Sequence, residues 1–447
     1  MYKTSNYNYQ IKHEDKFIFF NGMSGKLFTV PATEGKVIEE LLNDPISFKI
    51  QHESLFEKFK EWGFIIDEGI DEIDMLRYRN RREVFMNKQY HLVIYPTIDC
   101  NFGCWYCLQK HYPSCMSEET MEKIKKHVRT MIEKEKITAL NIEWFGGEPL
   151  LHFDEVIYPL SRYFRELTEQ YHLPYHQHIT TNASLITPAI IEKFKEIGLS
   201  NFQITIDGDR EKHNKVRNIM QAPTFDLIMG NIKELCRAYP QVRIDFRLNF
   251  DDKTLKKPGI FEVYKELETY HNNIQPAFVR VWQTIKDQTE ETKENTKNEE
   301  LQKLHQYVRE LGFFLPSVGT QFSLHKSTHC YADRYYHAEI NYDGTVYKCT
   351  AQGHAPERIA GILTDNGIIK WKEEVMQRMY SKATFENERC LACKHLPICL
   401  GPCSQSILAD PENKYSCALE KDDISIEDYI IDLYREQTKR VCQNEKF

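Results

Sequence analysis

Thirteen cysteines stand among the 447 residues, and they are unevenly spaced. An odd number cannot all pair within the chain, and the N-terminus (MYKTSNYNYQIKHEDK) lacks the apolar core of an export signal. In reducing cytosol, clustered thiols point to metal binding or catalysis and not to disulfides. Cys100, Cys104 and Cys107 fall in YPTIDCNFGCWYCLQKH, separated by three and two residues. A loop that tight offers three thiolates, each suited to a different corner of an iron–sulfur cube. A closed zinc site would want a fourth ligand of that kind nearby, which the loop does not offer. The iron left without a thiolate is a chemical opening that an amine and a carboxylate on one small molecule can chelate. A second set comprises Cys330, Cys349, Cys390, Cys393, Cys399, Cys403 and Cys417. Seven thiolates exceed one tetrahedral zinc, although two adjacent zinc sites remain an alternative. Cys115, Cys236 and Cys442 read as small buried hydrophobes.

Other polar residues gather just after apolar strand-like segments, where the active sites of βα barrels lie. ALNIEWF is followed by Gly146, Gly147, Glu148 and Pro149. Paired glycines let backbone approach a ligand that a Cβ would exclude, and Glu148 can face an ammonium; a simple βα turn is the alternative. YHQHIT leads into Thr181, Asn182 and Ala183, and the next strand into Thr205, Ile206, Asp207 and Gly208. His213 and Arg217 follow. The planar fork of Arg217 suits a carboxylate, or else a surface ion pair.

The Cys-x3-Cys-x2-Cys loop with Tyr106 before its last cysteine resembles that of radical S-adenosylmethionine (SAM) enzymes. The later segments resemble, in order, that family's GGEP, TNG, S-x-D-G and H-x3-R motifs. The chain departs from them with Ala183 for glycine, Thr205 for serine and Asn214 for aspartate. The resemblance implies that Cys100, Cys104 and Cys107 hold a 4Fe–4S cluster whose open iron binds SAM. It further implies that Tyr106 packs near the adenine, and that Gly146, Gly147 and Glu148 hold the amino group. Asn182, Thr205, Asp207 and Arg217 would complete the cofactor site, with Thr205 at the ribose or carboxylate and Arg217 on the carboxylate.

The second set resembles the SPASM region of radical SAM maturases, which implies two auxiliary 4Fe–4S clusters and so three clusters in all. By that resemblance Cys390, Cys393, Cys399 and Cys417 hold the outer one, and Cys330, Cys349 and Cys403 the inner. The inner cluster is then one ligand short. His325, His329, another residue or the substrate itself would complete it.

The elements expected to position these residues form an α/β fold. Residues 1–88 read as an α+β, winged-helix-like unit: a hairpin around Asn21-Gly22, two helices, a short strand and a helical connector. Six strand candidates (HLVIYP, ALNIEWF, YHQHIT, FQITID, VRIDFRLN, AFVRVW) alternate with amphipathic helices over 89–320. They imply a parallel sheet with right-handed crossovers, open or as a partial (β/α)6 TIM-like barrel. The charged run 286–300 reads as a solvated loop, 321–422 as an irregular cysteine-rich domain, and 423–447 as a closing helix.

Hydrophobic residues make up 41% and charged residues 28% of the chain, ordinary for a globular protein. With 58 Lys and Arg against 66 Asp and Glu, the net charge of −8 argues against a nucleic-acid binder, and no apolar run reaches the length of a membrane span. The resemblance implies a cytoplasmic, oxygen-sensitive maturase of ribosomally made peptides. Its partners would be a precursor with a leader sequence, gripped by residues 1–88, and an electron donor such as flavodoxin or ferredoxin. The alternatives are a formylglycine-generating sulfatase maturase and, from another class, a non-catalytic iron–sulfur electron-transfer or scaffold protein.

Overall fold

A computed structural model describes residues 1–219, 222–281, 299–315, 328, 330–381, 385, 387–404, 417 and 425–444. The chain divides into two compact units. One comprises Met1–Asn87, Ser317–Tyr335 and Arg378–Phe447, the other Lys88–Pro316 and Tyr336–Gln377.

The unit containing the N-terminus has two small sheets. Strands β1 (Tyr2–Thr4) and β5 (Ile65–Asp67) pair antiparallel, while β2 (Asn8–His13), β3 (Lys16–Asn21) and β4 (Leu27–Pro31) form a meander in that order. The β3–β4 turn is the expected one. The Asn21 side chain organises it, its Oδ1 accepting from the backbone N–H of Met23 and Ser24. The β2–β3 turn carries no glycine or asparagine, and Glu14 takes its left-handed place at φ 55°. That hairpin had no turn signal in the sequence. Helices Gly35–Asn43, Pro45–Gln51 and Glu53–Glu61 follow. The middle one was unanticipated although Asp44 caps it and Pro45 opens it, a standard N-terminal pairing. Phe48, Phe56, Phe59 and Phe64 close a core against Phe19, Ile38 and Leu42. The C-terminal helix Ile426–Asn444 packs Ile426, Tyr429 and Ile430 onto Tyr9, Ile18 and Phe20.

The other unit is built on one large sheet. Its strands are β6 (Gln89–Ile94), β7 (Ala139–Trp144), β8 (Tyr175–Thr181), β9 (Asn201–Asp207), β12 (Arg243–Phe250) and β13 (Ile274–Arg280), all parallel. Strands β10 (Asn218–Ile219) and β11 (Ala222–Pro223) make a separate small hairpin. All six predicted strand segments are present. Each barrel strand lies beside the next in sequence, in the order β13-β12-β9-β8-β7-β6. Crossovers of one hand between sequential neighbours put every helix on the same face. This is the α/β arrangement around one mostly parallel sheet that the sequence implied.

Side-chain alternation then divides the strands. Leu140, Ile142, Trp144, Ile179, Phe202, Ile204, Ile206, Phe246 and Leu248 point to the helices and share one core with Ile124, Val128, Phe164, Phe194, Ile228 and Ile232. The other parity carries His91, Glu143, His178, Thr205, Asp207, Asp245, Arg247 and Asn249, which are in register across the sheet. Helix-free, this polar face is the concave one.

Beyond β6 the sheet continues through β14 (His337–Ile340), parallel to it, and then β15 (Thr345–Tyr347), β16 (Gly361–Leu363) and β17 (Ile369–Trp371), all antiparallel. Residues 336–377 therefore belong with the barrel sheet, whereas the sequence reading placed them in the cysteine-rich domain. Three-residue strands give too short a periodicity to be recognised from sequence. The charged segment 286–298 lies outside the described residues. No helix among the described residues is long and apolar enough to cross a membrane.

Candidate active site

The loop bearing Cys100, Cys104 and Cys107 leaves the end of β6 and is anchored at its base by backbone. Gly147 N donates to the Thr97 carbonyl at 3.2 Å and Glu148 N to that of Asp99 at 2.8 Å. A Cβ on Gly146 would sit 2.2 Å from the Thr97 carbonyl oxygen, and one on Gly147 2.0 Å from that of Asp99. Gly146 also has φ 138°, which favours glycine. What approaches these glycines in the structure is the chain's own cysteine loop.

Glu148 is fully buried. Its Oε1 accepts from Thr181 Oγ1 (2.7 Å) and Leu150 N (3.0 Å), and its Oε2 from Asn182 N (2.7 Å). Burial pushes its carboxyl up to about 7 despite these three donors. These three donors leave one of the carboxylate's lone-pair directions unused. Asn182 Nδ2 donates to Asn101 Oδ1 at 2.8 Å, which ties the β8 end to the cysteine loop. Ala183, at the family's glycine position, holds φ 62° while fully buried. The left-handed backbone that glycine would supply is kept here by alanine, at roughly 1–2 kcal/mol.

Across the mouth of the sheet lies a hydrogen-bonded set around Tyr106. Its hydroxyl donates to Asp207 Oδ2 (2.6 Å) and accepts from Arg217 Nη2 (2.8 Å) and Asn249 Nδ2 (3.1 Å). Arg217 Nε pairs directly with Asp207, whose side chain is 2% exposed. Burial works against the Arg217 charge, but Asp207 and Tyr106 outweigh it and hold the guanidinium charged. Arg217 thus takes a protein carboxylate as its partner. Thr205 is buried one register step below Asp207, opposite Arg247 on β12. His213 is fully buried, with the Asp207 N–H donating to its Nδ1. Burial lowers the ring to about 3, so it is neutral and packs the turn. Asn214, at the family's aspartate position, accepts from the Thr224 and Phe225 N–H groups.

Three groups here were missed from sequence. Arg247 and Asn249 alternate with Ile244, Phe246 and Leu248 along β12, and that period of two was a readable signal of a polar inner face. His111 places Nδ1 2.9 Å from the Ile98 carbonyl oxygen and Nε2 3.2 Å from Cys107 Sγ. The carbonyl fixes Nδ1 as donor, which leaves Nε2 to take the thiol proton. Burial alone would raise the Cys107 thiol, yet the His111 contact and the Gln109 backbone bring it below the ordinary range. Cys100 is instead pushed up to about 12 by burial, with Glu148, Cys104 and Cys107 adding to the shift.

Cys100, Cys104 and Cys107 therefore lie within electrostatic reach of one another, on a loop whose donor set fits an iron–sulfur cluster. Among the described residues no three Cys, His, Asp or Glu side chains converge on one metal ion; thiolates that hold separate irons of a cube need not do so. Cys236 is buried as expected, its thiol pushed up to about 12, whereas Cys115 is exposed, contrary to expectation. The Cys442 side chain lies outside the described residues.

In the other unit, Cys390 and Cys393 flank a turn in which Cys393 N donates to the Cys390 carbonyl (3.0 Å). Cys399 ends a short helix, followed by Leu400 and Gly401, both at positive φ. Burial raises the thiols of Cys390 and Cys399 to about 11 and about 12, and Cys417 adds to both shifts. Cys390 thus lies within electrostatic reach of Cys393 and Cys417, and Cys399 within reach of all three. Asp333 accepts from Cys330 N (3.2 Å) and from the hydroxyl of Ser404, and so links the Cys330 turn to the residue after Cys403. Cys349 follows β15 in the barrel unit. His325 and His329 lie outside the described residues.

Comparison with known proteins places the class. Residues 94–257 match the profile of the Radical SAM superfamily, so this stretch is a radical SAM domain and the chain is an enzyme of that kind. Enzymes of that superfamily bind a 4Fe–4S cluster and SAM. Among curated relatives, the radical SAM cyclopropyl synthase TigE of Paramaledivibacter caminithermalis is 22% identical over 324 residues, 60% of this chain and 67% of TigE. The AdoMet-dependent heme synthase of Methanosarcina barkeri is 28% identical over 174 residues, 38% of this chain and 44% of that protein. Among solved structures, Streptococcus suis SuiB bound to precursor peptide SuiA superposes with a TM-score of 0.52 at 16% identity, covering 94% of this chain and all of SuiB. Native anSMEcpe with bound AdoMet and Cp18Cys peptide gives 0.51 at 17%, covering 73% and 96%. These likenesses show the fold.

Two outcomes follow. Gly147→Ala pushes the cysteine loop off its seat and costs about 1–3 kcal/mol; urea denaturation of the cluster-free protein and iron content after reconstitution measure both effects. Glu148 has a folded pKa above its unfolded value of 4.5, so between about 4.5 and about 7 the folded chain keeps a proton that the unfolded chain releases. Stability of the cluster-free protein falls as pH rises through that window, and Glu148→Gln flattens the dependence.

Proposed function

We propose that this chain is a radical SAM maturase of a precursor peptide, with a SPASM-type region that holds auxiliary clusters. The observation that carries the reading is that Cys390 and Cys399 each lie within electrostatic reach of Cys393 and Cys417, in a chain that also has a radical SAM domain. One radical SAM cluster needs three thiolates, and a second group of four free thiols, Cys399 buried and the other three half-buried, suits another occupant. Likeness to SuiB over 94% of this chain supports a peptide substrate, because SuiB is seen with its precursor.

When bound, the Cys100–Cys104–Cys107 cluster and SAM supply a 5′-deoxyadenosyl radical, and that chemistry is the cofactors' own. The chain's residues prepare the site. His111 takes the Cys107 proton and readies a thiolate. Glu148 offers a buried carboxylate to the SAM ammonium. Asp207 and Arg217 fix the Tyr106 ring over the mouth of the sheet. Cys390, Cys393, Cys399 and Cys417 would hold one auxiliary cluster and Cys330, Cys349 and Cys403 another, and such clusters would supply an acceptor for an electron.

The N-terminal unit is read as the leader-binding part. β4 pairs only with β3 among the described strands, so its other edge can accept a leader strand by β-augmentation. The second reading, a sulfatase maturase, draws on the likeness to anSMEcpe, which leaves more of this chain uncovered. Anaerobic incubation with reductant, SAM and short peptides encoded beside the gene, followed by mass spectrometry, separates the two. Loss of two hydrogens from a peptide supports the peptide maturase. Conversion of Ser or Cys to an aldehyde supports the alternative. No 5′-deoxyadenosine with any peptide would return the chain to an electron-transfer or scaffold role.

A further inference from the structure

The concave face holds a line of ionisable side chains that the cofactor site does not use. His91 Nε2 on β6 lies 3.2 Å from Glu143 Oε2 on β7, and each side chain is 18% exposed. The His91 ring stacks on His337 of β14, centroids 4.9 Å apart. His337 Nε2 lies 3.4 Å from Glu339 Oε1, both fully buried, and Tyr95 Oη donates to Glu339 Oε2 at 3.1 Å. Lys348 Nζ donates to the His337 carbonyl. His178 of β8 is in register with Glu143, and Asp245 of β12 faces His178. All of these residues belong to the barrel unit.

A buried ion pair kept only for stability is weak, because desolvation offsets most of its attraction. Here Glu143 and His91 are each 18% exposed, whereas His337 and Glu339 are fully buried. The two carboxylates are also driven apart. Burial pushes Glu339 up to about 8, which keeps it protonated. For Glu143 burial acts the same way, but the His91 contact overrides it and holds the carboxyl below the ordinary range. Two carboxylates separated in this way mark which one accepts and which one keeps a proton.

We propose that Glu143, on the concave face and backed by His91, is the proton acceptor of the peptide-modifying step. The proposal rests on the peptide-maturase reading. The substrate first loses a hydrogen atom to the 5′-deoxyadenosyl radical. The substrate radical then loses a proton to a Glu143 carboxylate oxygen and an electron to an acceptor of the iron–sulfur class. Two hydrogens leave in all, and bond formation or a double bond closes the valence. Glu143 is the catalytic residue. His91 is a positioning residue that holds the carboxylate.

The test compares holoenzyme carrying Glu143→Gln, Glu143→Asp or His91→Gln with wild type, on the peptide whose mass changes in the preceding assay. The readout is the ratio of modified peptide to 5′-deoxyadenosine. It is expected to fall roughly a hundredfold or more in Glu143→Gln and to recover partly in Glu143→Asp. In His91→Gln the acid limb of its pH profile is expected to move. An unchanged ratio in Glu143→Gln overturns the proposal alone, as does loss of peptide and 5′-deoxyadenosine in step, which marks a structural role. If wild type modifies no peptide, the maturase reading falls and the proposal with it. Infrared difference spectra of the holoenzyme, wild type minus Glu143→Gln, need no peptide. They should show an ionised carboxylate band that shifts in His91→Gln; a protonated-acid band in its place overturns the proposal, since an acid cannot take the proton.

Discussion

The cysteine loop is seated on the sheet by backbone, at a distance that only glycine permits. The Thr97 and Asp99 carbonyl oxygens come within 2.2 and 2.0 Å of where Cβ atoms of Gly146 and Gly147 would stand. Hydrogen bonds from Gly147 and Glu148 hold the loop there. Everything else in the site depends on that contact. It sets the level of the three thiols against the strand ends, and it buries Glu148 beneath them. Asn182 and Asn101 carry the same seat across to β8.

A second constraint follows from the order of the strands. Sequential parallel neighbours put all helices on one face, so each barrel strand must present aliphatic residues outward and is free to carry polar ones inward. Ile244, Phe246 and Leu248 against Asp245, Arg247 and Asn249 show this within one strand. The polar side then divides by depth. At the strand ends it becomes the Tyr106–Asp207–Arg217–Asn249 set. Deeper, at His91 and Glu143, it becomes a paired acid and base.

Much of this was legible in the residues. The six strands announced themselves by apolar runs, and Glu148, Asn182 and Asp207 stand at or just after strand ends, where those runs put them. What stayed hidden had physical causes. The β2–β3 turn uses Glu14 at positive φ in place of glycine, so no turn residue marks it. Strands β15 to β17 have three residues each, too few for alternation to show. His111 and the His91–Glu143 pair gain their meaning only from neighbours distant in sequence. Gly146 and Gly147 stated that something approaches closely, and not that the cysteine loop does.

The seat of the loop matters most if the cluster it holds binds SAM at an open iron. Electron paramagnetic resonance of the reduced, reconstituted protein tests that binding most directly. The account predicts a 4Fe–4S signal that changes on adding SAM in a protein whose second cysteine set is replaced by alanine, and that vanishes when Cys104→Ala is added. A cluster signal indifferent to SAM, or one that survives Cys104→Ala, would contradict it.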